Sequence, residues 1–154
     1  MKRWTLLVAV PVLLITGCAA GPWSSGPDCT LIGGDSGVTM QFEAANLPRA
    51  VQAADGPVQL RLCAGSVCQE RTWEKPVADT GLHISVDLDE DIGEVTVPVR
   101  FTVAKGSREF YGDQAEVKLR RSQPNGEGCE PTLYQGSVTL DHQRRLVTVT
   151  PATR

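Results

Sequence analysis

The chain has no apolar run long enough to cross a bilayer as a helix, which takes about 20 such residues. Its longest covers only residues 6–15 and is interrupted by Pro11. Histidine is scarce, with His83 and His142 far apart in sequence; two such imidazoles make a poor transition-metal set without free thiols. No glycine-rich loop follows a strand pattern and opens a helix, so nucleotide binding has no motif. Basic residues are few as well, 15 Lys and Arg against 18 Asp and Glu for a net charge of −3, and they form no cluster. That balance argues against nucleic acid as a partner. Helical periodicity is nearly missing: the single helix candidate is about one turn within residues 49–54.

What the chain does have begins at Met1-Lys2-Arg3. This basic start, the apolar stretch and the small residues Thr16-Gly17 follow the order of a cleavable export signal. Ile15-Thr16-Gly17-Cys18 resembles something narrower, the lipobox of bacterial lipoproteins: an aliphatic residue, two small ones, then cysteine. The resemblance covers about 20 residues and implies a diacylglyceryl thioether on Cys18, with cleavage just before it. Small residues let the peptidase approach the backbone, and the thiol carries the lipid. Two or three acyl chains on one residue exceed the single chain that binds a membrane only marginally. The alternative is an ordinary signal peptide cut near Ala19-Ala20. The implied division is a signal at 1–17, a lipidated tether at 18–28 and a domain at 29–154, anchored on the outer face of the cell membrane. Residues 19–28 are small, aperiodic and rich in proline and glycine, as a tether should be. Without residues 1–17 the charge is −5, because Lys2 and Arg3 leave with them.

Cys29, Cys63, Cys68 and Cys129 then remain, an even set in an exported protein, where disulfides are the default. Four cysteines permit three pairings. Cys63 and Cys68 flank a four-residue loop between strand-like runs, a spacing that brings the two Cβ atoms together across a hairpin. Cys29 is left with Cys129.

The domain alternates with period two. Val95, Val97, Val99, Phe101 and Val103 would all enter one core. Pro98, facing the other way, cannot donate to a ladder and suggests an edge strand or a bulge. Ile84, Val86 and Leu88 form another set, as do Ala115, Val117 and Leu119, and Val58, Leu60 and Leu62. Residues 137–140 and 146–150 read as a last hairpin. Turn residues separate the runs at 56–57, 79–81, 105–106, 111–113 and 123–128. Short strands at this spacing indicate an all-β sandwich of about seven to nine strands, braced by disulfides. Placing Cys63 opposite Cys68 sets Arg61 against Glu70 and Gln59 against Thr72. It also sets polar residues against Leu62 and Leu60, so the strand at 69–73 is expected at an edge. In layout, residues 37–154 are similar to immunoglobulin-like and fibronectin-III-like sandwiches. The segment Pro124-Asn125-Gly126-Glu127-Gly128-Cys129-Glu130-Pro131 resembles one found in small actinobacterial surface lipoproteins. Neither resemblance implies an active site.

Three constellations bear on chemistry. Gly34-Asp35-Ser36-Gly37 resembles the nucleophile segment of trypsin-like proteases and the opening of GDSL-type hydrolases. Both families need a histidine in a relation that His83 and His142 do not provide, since a serine nucleophile requires a base within hydrogen-bond reach. The plainer reading is a turn between two early strands. Asp87, Asp89 and Asp91 resemble the start of a calcium loop, although Ile92 and Pro98 stand where an EF-hand needs glycine and glutamate. Trp23, Trp73, Phe110 and Tyr111 are candidates for a contact surface or for packing. The function expected is therefore a non-catalytic, membrane-anchored surface lipoprotein that engages an envelope protein or the cell wall. It needs no cofactor, and its exposed edge at 69–73 could accept a partner strand. The alternatives are a small-ligand or calcium carrier and, further off, a serine hydrolase using Ser36.

Overall fold

The computed structural model describes residues 29–74 and 81–150. The expected signal peptide, Cys18, Trp23 and the expected tether lie outside the described residues, as does most of the expected turn at 79–81. Among the described residues no helix is long and apolar enough to cross a membrane.

The period-two runs become strands because alternate side chains reach opposite faces, and one face of each is apolar. Among the described residues they are β1 (Gly37–Glu43), β2 (Val58–Ala64), β3 (Val67–Trp73), β4 (Gly81–Asp87), β5 (Thr96–Lys105), β6 (Arg108–Lys118), β7 (Arg120–Ser122), β8 (Leu133–Leu140) and β9 (Leu146–Thr148). A four-residue helix, α1 (Arg49–Gln52), occupies the predicted turn and buries Val51. The strands form two sheets, a disulfide-braced sandwich of the expected all-β, immunoglobulin-like class. One sheet runs β4-β1-β8-β7, with β9 also on β8; the other runs β3-β2-β5-β6. Pairing is antiparallel except between β1 and β8.

Between the sheets lie Val38, Met40, Leu60, Leu62, Phe101, Val103 and Leu119, all essentially inaccessible to solvent. Each such side chain contributes roughly 1.5–3 kcal/mol by leaving water. Phe42 meets Phe101 edge-on, with ring centroids 5.3 Å apart.

The β2–β3 hairpin takes the predicted register throughout, from Val58 opposite Trp73 to Cys63 opposite Cys68. The Arg61 guanidinium lies 3.4 Å from the Glu70 carboxylate, and Gln59 bonds Thr72. Strand β3 is the edge and is mostly exposed. Both disulfides have the expected partners: the Cα atoms are 5.7 Å apart in Cys29–Cys129 and 4.0 Å in Cys63–Cys68.

Four local expectations need correction. Val95 lies outside β5 and is 41% exposed; its carbonyl instead accepts the Leu119 amide. Pro98 is not on an edge strand, because β5 sits between β2 and β6. Its carbonyl accepts the Gly65 amide, so its nitrogen faces the point where β2 has already ended, at Ala64 opposite Val99. No ladder bond is lost there. The irregularity in β5 falls at Val103/Ala104 instead. Residues 111–113, read as a turn, lie within β6. Tyr111 and Asp113 are polar because they bind across to the β8–β9 turn, not because the chain reverses. Finally, no strand among the described residues precedes Ser36, so residues 34–37 lead into β1 and do not join two strands.

Two glycines permit close approaches. A Cβ on Gly37 would lie 2.1 Å from the Val86 carbonyl oxygen, which would prevent β1 from pairing with β4. One on Gly136 would meet Val117 Cγ1 at 2.4 Å. Here the strand that is β6 in one sheet crosses at Leu119 to become β7 in the other, passing over β8.

Candidate functional site

Ser36 is fully buried. Its Oγ accepts the Tyr134 amide at 3.0 Å and lies 3.5 Å from the Glu90 carbonyl, to which it donates. Its own carbonyl accepts the Leu88 amide at 2.8 Å. The hydroxyl therefore joins β8 to the loop after β4. Neither histidine approaches it. Gly37 pairs with Asp87 and Gln41 with His83, which places His83 four residues along the sheet, roughly 13 Å away. His142 sits in the turn beyond Leu140, at the opposite end of β8.

Asp87 ends β4 opposite Gly37, and Asp89 and Asp91 follow in the next loop, where the Ile92 amide bonds the Asp89 carbonyl. Among the described residues no group of three or more His, Cys, Asp or Glu could hold a metal ion, these three aspartates included. Asp35, Glu90, Glu94, Glu127 and Glu130 are also exposed at this end, in the segments that lead into β1, β5 and β8.

That end is organised by Asn125, buried although polar. Its Oδ1 accepts the Thr30 hydroxyl at 2.9 Å and the Ile32 amide at 2.7 Å, and its Nδ2 donates to the Glu130 carbonyl. With the Cys29–Cys129 bridge, these bonds hold residues 29–32 against the loop that includes the cis Glu130-Pro131 peptide. Nothing in the sequence separated Asn125 from an ordinary turn asparagine.

The other end is stitched by Asp113, Tyr111 and Asp141. Asp113 Oδ2 accepts the Leu146 amide at 2.7 Å, and the Tyr111 hydroxyl donates to the Arg144 carbonyl at 2.8 Å. Burial raises the Tyr111 phenol above the usual range, and the Asp113 carboxylate adds to it. Asp141 accepts the Gln143 and Arg145 amides on Oδ1 and the Arg145 guanidinium on Oδ2. The Arg145 backbone hydrogen bond, aided by its side chain, holds the Asp141 carboxyl below the usual range.

On the flank of the sandwich, beside the Ser36 end, a cavity of about 490 Å³ opens where β6 crosses over to become β7 and β9 ends. Residues 116–118, 120–122, 135–137 and 148–150 line it. Lys118, Arg120 and Arg121 are exposed there, and none forms an ion pair with a described residue. Glu116 shares the wall, and the Glu94 carboxylate accepts the Arg121 amide at 3.4 Å. The sequence did not single out this notch, because its walls come from four separate segments.

The edge expected at 69–73 is present as β3, with Arg71 reaching the His83 carbonyl of β4 at 2.7 Å. Phe110 lies under the Arg108 guanidinium, 4.7 Å from its centre, and Trp73 is buried; neither forms an open aromatic platform. In comparisons with protein families, with curated proteins and with solved structures, nothing matches the chain.

Proposed function

We propose that this protein is a non-catalytic surface lipoprotein, anchored through Cys18 to the outer face of the cell membrane, whose sandwich engages an envelope protein or the cell wall. The reading is carried by the Ile15-Thr16-Gly17-Cys18 lipobox together with the pairing of the other four cysteines, which leaves Cys18 as the odd thiol. Ten residues separate it from Cys29 and reach at most about 35 Å when extended, so the sandwich stays near the bilayer. The non-catalytic part rests on Ser36, whose hydroxyl is buried in structural hydrogen bonds with no histidine beside it.

The test is to express the protein in a bacterium and compare it with Cys18→Ala. Mass spectrometry should find the wild-type chain beginning at an acylated Cys18, in the membrane fraction. The variant should be released or left uncut. Crosslinking in intact cells should recover an envelope component with the wild type and lose it with the variant. A mature chain that starts after Cys18, or carries no lipid, overturns the anchored role. Labelling of Ser36 by a fluorophosphonate would overturn the non-catalytic one.

A further inference from the structure

The flank notch lies between strand edges that have no strand partner among the described residues. Strand β6 ends its sheet, and β9 pairs only with β8. At one end of this flank the two edges are joined through Asp113 and Leu146. Towards the notch no backbone bond links residues 115–118 of β6 to β9. Half of the N–H and C=O groups on an edge point outward and can pair with an added strand. Three cations rim the space in a chain whose net charge is −3. Lysine on an edge can also serve simply to discourage pairing; Arg120 and Arg121 of β7 leave the lining basic even with Glu116 in it.

From these edges and charges we infer that the notch is a docking site for an extended segment of a partner protein rich in Asp and Glu. The segment adds as a strand along β6, with its carboxylates on Lys118, Arg120 and Arg121. An acidic polysaccharide is the weaker fit, because no aromatic side chain lines the notch to stack on a sugar ring. A strand docks instead through the backbone that β6 offers. This deepens the interaction role proposed above and rests on it for the identity of the partner as an envelope protein.

The test uses the full chain and two synthetic hexapeptides, one alternating Asp with Val and one alternating Lys with Val. The acidic peptide should bind, with hydrogen-exchange protection of amides within 115–118, and should bind more weakly as salt rises from about 0.05 to about 0.5 M. Arg120→Glu with Arg121→Glu should weaken it about tenfold or more, and Lys118→Glu should act in the same direction. Thermal unfolding shows whether each variant remains folded. Equal binding of the two peptides, protection on β3 instead, or no binding overturns the proposal. So does uptake of polygalacturonate without the peptide, or a dimer of the chain that the arginine substitutions dissolve. Mass spectrometry of Cys18 in the same preparation keeps the two readings apart. Lipid without peptide binding strikes the docking site alone, and peptide binding without lipid strikes only the anchored role.

Discussion

A polar side chain in this sandwich is stabilising where its lone pairs and protons are used, and Ser36 shows the magnitude. Removing its hydroxyl in Ser36→Ala leaves the Tyr134 amide without its acceptor. Orphaning a buried donor costs about 1–3 kcal/mol, so urea unfolding should show a loss in that range. A negligible change would mean that the bond contributes nothing. Asp141 makes a different forecast. Its folded pKa is lowered from an unfolded value near 3.9, so its stabilisation is fully present above that value. It is lost as pH falls through the lowered one. The Gln143 and Arg145 amides, followed by NMR, should shift together with a midpoint below about 3.9. A midpoint at or above it would remove the carboxylate from this role.

Among the elements, the crossing strand is the decisive one. Continuous from β6 through Leu119 to β7, it joins the two sheets covalently at the flank and needs Gly136 beneath it. In Gly136→Ala the new methyl would lie 2.4 Å from Val117 Cγ1 and 3.2 Å from Leu119 Cδ2, so the crossing must shift. Overpacking of this kind costs about 1–3 kcal/mol. Gly33→Ala, which meets nothing within 4 Å, is the control expected to unfold at the same urea midpoint as the wild type. Equal stability of the two variants would show that the crossing is looser than its contacts imply.

Over the whole molecule the two disulfides act on very different lengths of chain. Cys29–Cys129 closes a separation of 100 residues and Cys63–Cys68 one of 5. Loop-closure entropy assigns them about 4.7 and about 2 kcal/mol. Replacing each pair by serine should lower the urea midpoint more for the long bridge; the reverse order would show that the entropic account fails here. Charge is also distributed over the whole body. At the end that carries Cys29, exposed carboxylates such as Asp35 and Glu94 stand beside exposed Arg120 and Arg121.

Periodicity, turn residues and cysteine spacing determined the class of fold, the hairpin register and both sulfur pairings. Each depends on neighbours in sequence or on counting. An alternating strand has one apolar face wherever it packs, and a four-residue loop between two cysteines has little choice of partner. Tertiary structure alone decided the roles of single polar residues. Tyr111 and Asp113 looked like a turn, but their partners Arg144 and Leu146 are more than thirty positions away. Ser36 looked like part of a turn between two strands, but its hydroxyl bonds the Tyr134 amide 98 positions away. The notch was invisible for the same reason: a cavity belongs to the surfaces that meet around it, and local pattern carries no record of which surfaces meet.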